Sequence, residues 1–221
     1  MNQQLITAAI VDYGLGNLFS VKHACEHVGL AASITSTAKD ILGADLVILP
    51  GVGAFGDAMA GLQRKDLSGP LRDVAASGKP LVGICLGLQL MMSESHEFGI
   101  HKGLGLFEGS VVRFDDPRGP TGILKVPQVG WNRIYRSGGS ADSWAQTPLQ
   151  KIADGEYLYF VHSYYAQPVD PAIGLTVTRY GHIEFFSGLR KNNVYAFQFH
   201  PERSGPRGLQ IYRNLATLAA S

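Results

Sequence analysis

The chain of 221 residues has only two cysteines, Cys25 and Cys85, too few to staple a domain of this size with disulfides. A reducing compartment, the cytoplasm, is expected. Charge of one sign is also lacking: 19 Lys and Arg against 18 Asp and Glu leave a net charge of +1. That balance gives no electrostatic footprint for nucleic acid or an anionic membrane. Long apolar runs are missing too. The stretch from Met1 to Ile6 carries no basic region and the run that follows it breaks at Asp12, which argues against a signal peptide or a membrane span. No histidine or cysteine grouping has zinc spacing, so no metal and no cofactor are expected. What is present is an ordinary globular mix, 45% apolar and 17% charged, with length enough for one cored domain spanning residues 1–221. A small polar substrate fits this balance best.

Short runs rich in Val, Ile and Leu alternate with helical patterns through the first half, the signature of βαβ units and a mainly parallel sheet. Thr7–Val11, Leu46–Leu49 and Leu81–Ile84 read as strands; Leu18–Val28 reads as a helix stopped by Gly29. The second half is β-rich, with strands expected at Gly109–Phe114, Tyr157–Val161, Ile173–Thr178 and Val194–Phe199, then a helix near Leu209–Leu218. Ser137–Pro148 reads as a surface loop. The expected fold is therefore α/β: an open, mostly parallel twisted sheet flanked by helices, with an antiparallel or mixed extension.

Leu81-Val82-Gly83-Ile84-Cys85-Leu86-Gly87-Leu88-Gln89 places a cysteine where a strand turns abruptly into a helix, with a glycine two residues to either side. Close backbone approach at such an elbow requires glycine and projects the Cys85 sulfur above the sheet edge. The helix N-terminus beyond it favours the thiolate, and the Leu86 N–H is left free for an oxyanion. The alternative is a small buried residue, which is the better reading of Cys25 inside the first helix.

A thiolate in acyl transfer needs a proton shuttle and a group that orients the shuttle. Phe199-His200-Pro201-Glu202 supplies both, His200 leaving a strand end and Pro201 fixing an extended step that brings Glu202 to the imidazole. A lone His-x-Glu is more often a surface loop; joined to an elbow cysteine it becomes a base and its orienter.

Gly51-Val52-Gly53-Ala54-Phe55-Gly56 fits the dinucleotide fingerprint, so a nucleotide-dependent oxidoreductase has to be weighed. The acid required about 20 positions on should end the next strand, where Cys85 stands instead, with Asp73 inside a helical stretch. Asp57 and Ala58 likewise occupy the Lys and Ser/Thr places of a P-loop. The loop is better read as a second oxyanion donor facing Cys85, or as a tight turn using glycine for its freedom.

Together these pieces resemble the class I glutamine amidotransferase family, whose flavodoxin-like fold carries an elbow cysteine followed far downstream by His-Pro-Glu. Further matching segments are Asp12-Tyr13-Gly14-Leu15-Gly16-Asn17, Pro50-Gly51-Val52-Gly53, Gly130-Trp131-Asn132, His162-Ser163-Tyr164 and His200–Gly205. They are similar to the branch of the family that serves histidine biosynthesis. The resemblance implies a glutaminase with a Cys85, His200, Glu202 triad and an oxyanion hole of Val52, Gly53 and Leu86. It also implies a glutamine site lined by Gly53, Gln89, Glu97, Ser163 and Tyr164. Asn17, Gln128, Trp131, Tyr159 and Arg203 would lie toward a (β/α)-barrel cyclase that receives the ammonia in a heterodimer. Pro127-Gln128-Val129 departs from the Pro-His-Met that family members often carry there. A glutaminase of another synthase, an inactive scaffold of the same fold and the oxidoreductase stay open as alternatives.

Overall fold

The computed structural model describes residues 5–120, 122–138 and 143–220. The first half is wound as β1 (Thr7–Val11), α1 (Leu18–His27), β2 (Ala31–Thr35), α2 (Ala38–Gly43), β3 (Leu46–Gly51), α3 (Phe55–Arg64), α4 (Ser68–Ser77), β4 (Leu81–Cys85) and α5 (Leu86–Leu90). Its strands β1, β3 and β4 are almost wholly apolar because each is covered on both faces. On one face α1 and α6 (Gly205–Ala219) bury Val21, Cys25, Ile211 and Tyr212 against Ile10, Ile48 and Val82. On the other, α2, α3 and α4 bury Ile41, Leu62 and Leu71 against Val11, Val47 and Leu49.

The second half contributes β5 (Met92–Ser95), β6 (His101–Lys102), β7 (Phe107–Arg113), β8 (Arg118–Gly119), β9 (Gly122–Ile123), β10 (Gln128–Arg136) and β11 (Glu156–His162). Next come β12 (Tyr164–Pro168), β13 (Gly174–Tyr180), β14 (Ile183–Lys191) and β15 (Val194–Phe197), before α6. The main sheet runs β2-β1-β3-β4-β15-β14-β12-β7-β5-β6, while β10, β11 and β13 branch from it. Strands β2, β1, β3, β4 and β15 are mutually parallel, and β14, β12 and β7 continue antiparallel. The parallel part has the flavodoxin-like winding, with β15 in fifth place and a reversal of strand order between β1 and β3. Ligands of such sheets bind beyond the carboxyl ends at that reversal.

Several expected boundaries shift for local reasons. The strand expected from Ile173 starts at Gly174, because Pro171–Ile173 forms a 3₁₀ turn whose Asp170 carboxylate accepts from the Ala172 N–H at 2.9 Å. The last helix begins at Gly205, with Pro206 in its first turn where the missing N–H is harmless. Ser137–Pro148 is not all surface loop: Trp144 is buried, its indole N–H donating to the Leu175 carbonyl at 2.9 Å and Arg136 stacking over its ring at 4.7 Å. Residues 139–142 of that loop, and 1–4 of the N-terminal stretch, lie outside the described residues. No helix among the described residues is long and apolar enough to cross a membrane.

Candidate active site

Cys85 ends β4 with φ 55° and ψ −109°, a backbone state that a non-glycine residue holds only at a cost of about 1–3 kcal/mol. Tight packing on either side enforces it. A Cβ on Gly87 would fall 1.8 Å from the Leu49 carbonyl oxygen, and one on Gly83 would fall 2.9 Å from the Gly87 carbonyl. Strand and helix can therefore meet this closely only through glycine. The sulfur is buried, 3.7 Å from the Val161 carbonyl oxygen, and accepts from Gln198 Nε2 at the same distance. The helix after it is short, only Leu86–Leu90, because the chain is drawn into β5 against β7. Its first N–H groups, Leu86 included, still have no acceptor within the helix.

His200 stands three residues past β15, its N–H donating to the Tyr159 carbonyl at 2.8 Å. Its Nδ1 meets Glu202 Oε1 at 2.7 Å, with the two side chains 4% and 1% exposed. The extended step belongs to His200 itself, at φ −104° and ψ 94°, whereas Pro201 opens a 3₁₀ turn, Pro201–Arg203, that swings Glu202 back beneath the imidazole. Burial opposes a charge on His200, but the negative sulfur of Cys85, then Glu202, outweigh it and raise the imidazole to about 10. Among the described residues neither His200 Nε2 nor Glu202 Oε2 has a hydrogen-bond partner.

A cleft of about 600 Å³ opens above the sulfur. It brings together Cys85, Val52, Gly53, Leu86, Gln89, Glu97, Ser163 and Tyr164, every residue expected at the oxyanion and glutamine sites. Phe98, Arg113, Val161 and His162 complete its lining. Gly51 pairs with Cys85 in the β3–β4 register, so the glycine loop sits directly across from the sulfur. Its third glycine, Gly56, lies inside α3 and serves packing, since a Cβ there would come 3.0 Å from the His101 ring. Asp73 lies within α4, and no acid ends β4. The Glu97 carboxylate accepts from the Phe55 N–H at 2.5 Å, at the N-terminus of α3. Gln89 donates to the Tyr164 carbonyl at 3.0 Å and to Gln198 Oε1 at 3.2 Å, tying both walls of the cleft together.

Trp131, 56% exposed, stands edge-on to Tyr159 at 6.1 Å, and Arg203 lies over the same Tyr159 ring at 4.5 Å. Asn17 is exposed on the turn before α1. Gln128 is 3% exposed on the inner face of β10, while its neighbour Val129 points outward.

Three contributors near the sulfur were not singled out from sequence. Gln198 and the Val161 carbonyl touch it directly. His162, read only as part of the matching segment His162-Ser163-Tyr164, is buried in the cleft wall with Nδ1 at 2.8 Å from the Tyr164 carbonyl. The one available signal was alternation, which puts His162 on the same inward face as Leu158 and Phe160. Among the described residues no group of three or more His, Cys, Asp or Glu is placed to hold a metal ion.

The family model for class-I glutamine amidotransferases matches residues 9–217. The imidazole glycerol phosphate synthase subunit HisH of Rhodopirellula baltica is 45% identical over 94% of this chain and 96% of its own length. The corresponding subunit of Geobacter metallireducens is 40% identical over 96% of this chain and 98% of its own. Among solved structures, PurLQS of Thermotoga maritima superposes with a TM-score of 0.70 at 20% identity, covering 97% of this chain and 99% of that one. The acivicin-bound glutaminase domain of Trypanosoma brucei CTPS superposes at 0.68 and 17% identity over 97% and 94%. With an elbow cysteine, a buried His-Glu pair and a family match running almost end to end, the chain belongs to the class-I glutamine amidotransferase family.

Proposed function

We propose that this chain is the glutaminase subunit of an imidazole glycerol phosphate synthase in histidine biosynthesis. It hydrolyses L-glutamine to glutamate and ammonia. A (β/α)-barrel cyclase subunit, its partner in a heterodimer, takes up the ammonia to make imidazole glycerol phosphate and AICAR. The observation that carries the chemistry is the buried His200–Glu202 pair, charged by the sulfur of Cys85 at the floor of one cleft. The likeness to the synthase subunits named above supports the choice of synthase.

In this reading the Cys85 thiolate adds to the side-chain amide carbon of glutamine. The oxyanion that forms accepts from the Leu86 N–H and from N–H groups of the Val52–Gly53 loop, fixed dipoles that need no reorganisation. The carbon–nitrogen bond breaks as His200 gives its proton to the departing nitrogen, releasing ammonia and leaving a thioester. His200 then takes a proton from water as its oxygen attacks the thioester, and glutamate leaves as the thiolate reforms. Glu202 keeps the imidazole oriented and stabilises its charge. Glu97 faces the substrate ammonium; Gln89, Ser163, Tyr164 and Gly53 line the rest of the glutamine site. Trp131, Tyr159, Arg203 and Asn17 form the partner face. No cofactor or metal enters the scheme, and the free thiols of Cys25 and Cys85 suit a cytoplasmic protein. In the free subunit the Gly51–Gly53 loop is misaligned, and docking of the loaded partner brings it into this donor geometry before the thiolate attacks.

Glutamate release from glutamine is measured with and without a histidine-pathway cyclase saturated with its ribonucleotide substrate. Stimulation that disappears in Cys85→Ala supports the reading. Hydrolysis indifferent to that cyclase points to a glutaminase of another synthase, and silence under every condition to an inactive scaffold.

A further inference from the structure

Tyr13 lies where β1 ends, in the crevice at the reversal of strand order, and is 2% exposed. Its hydroxyl donates to the Pro50 carbonyl at 2.9 Å. Two glycines make room for it: a Cβ on Gly51 would fall 2.2 Å from its hydroxyl oxygen, and one on Gly61 would fall 2.6 Å from its carbonyl oxygen. The carbonyl it holds belongs to the peptide joining Pro50 to Gly51, and Gly51 is the residue paired with Cys85. Rotation of the Gly51–Gly53 backbone therefore starts from a peptide plane that Tyr13 pins. Burial, and then the charge of Cys85, push the phenol's pKa up, so the hydroxyl keeps its proton and stays a donor.

The turn that carries Tyr13 is anchored at its own base. Lys65 donates to the Asp12 carbonyl at 2.8 Å, and the Asp12 carboxylate accepts from the Gly14 N–H at 2.8 Å. The same turn runs on past the glycine loop to the exposed Asn17: a Cβ on Gly16 would fall 3.8 Å from Gly51 Cα, and one on Gly53 would fall 3.8 Å from Leu15 Cδ1. One short, tethered segment thus touches both the surface proposed for the partner and the peptide behind the oxyanion hole.

We infer that Tyr13 is a positioning residue for glutamine hydrolysis, its hydroxyl fixing the Pro50–Gly51 peptide and tying the glycine loop to the Asp12–Asn17 turn. The inference rests on the proposed glutaminase reading and adds a residue to it. Tyr13 touches neither substrate nor sulfur; it acts on the donors that meet the oxyanion, so its loss is felt where negative charge develops and not where glutamine binds.

Tyr13→Phe keeps the ring that fills the space between Gly51 and Gly61 and removes only the hydroxyl. In the full chain with the cyclase and its ribonucleotide substrate, kcat for glutamate release falls about five- to tenfold while KM stays within about twofold, the scale of one lost neutral hydrogen bond. Alkylation of Cys85 by iodoacetamide, which displaces iodide and develops no oxyanion, proceeds at the wild-type rate. A kcat within about twofold of wild type overturns the inference, because the hydroxyl would then be packing alone. A parallel fall in alkylation also overturns it, since the elbow itself would be distorted. Failure of the wild-type chain to respond to the cyclase is a different result, and it overturns the functional reading beneath the inference.

Discussion

Two histidines are buried beside one sulfur, and the two strand ends that hold them leave them in opposite states. Three residues past β15, His200 is penalised by burial, but the charges of Cys85 and Glu202 raise it to about 10, so it carries a proton at neutral pH. At the end of β11, His162 is lowered to about 4, first by burial and then by the charge of His200, the Tyr164 carbonyl only partly offsetting them. It is neutral, and its Nδ1–H donates to that carbonyl. Burial is common to both. The difference is charge: the sulfur of Cys85 first and the Glu202 carboxylate after it favour a proton on His200, whereas the charge of His200 disfavours one on His162, and this separates a proton shuttle from a wall of the cleft.

The comparison is tested most severely by removing the shuttle. His200→Ala lowers kcat for glutamate release about 10³-fold, the middle of the range for a positioned acid–base group. A loss under about tenfold would mean that ammonia leaves with a proton from elsewhere. A second test turns His200 toward the state of His162. Glu202→Gln keeps the shape and deletes the charge, so kcat falls about 10²-fold and the alkaline limb of the pH–rate profile moves to lower pH. The sign follows from the raised value: Glu202 helps His200 hold its proton, so without it the acid form is lost sooner as pH rises. Stability follows the same sign, the contribution of His200 being full below 6.5 and lost as pH climbs toward about 10. An unmoved alkaline limb would assign that limb to another group.

How much of this was legible in the sequence depended on whether contacting residues are close along the chain. The elbow was readable because Gly83, Cys85 and Gly87 act on one another within a single turn. His200 and Glu202 were readable because a two-residue step joins them. The parallel strands were readable as continuous apolar runs, since both faces are covered. Contacts set by the antiparallel extension were not. Gln198 reaches Cys85 across 113 positions and Gln89 reaches Tyr164 across 75, and only the assembled sheet fixes such pairs. The short α5 was unreadable for the same reason, because a pairing of Met92 with Phe107 ends it. The burial of Gln128 was readable from period: it shares a face with the buried Ile134, six positions on, and alternation alone sends its side chain inward.

The smallest expected effect comes from the other histidine. The His162 ring packs against Phe114, Phe160 and Phe185 at centroid distances of 5.1, 5.8 and 5.3 Å, so a phenyl ring suits the site. The Tyr164 carbonyl it leaves behind still accepts from Gln89 at 3.0 Å, so His162→Phe orphans no carbonyl there. His162 Nε2, which has no partner now, is removed with the ring. Neutral-pH stability therefore changes little. The acid side changes more: with a pKa near 4 folded against 6.5 unfolded, His162 takes up a proton on unfolding between those values. Its contribution is full above 6.5 and lost as pH falls toward 4. In the variant, the fall in melting temperature over that window is shallower by a few degrees, at about 2–4 °C per kcal/mol for a domain of this size. A wild-type slope in the variant would mean that other groups govern acid unfolding, and that the neutrality of His162 is a local matter with no weight in the stability of the chain.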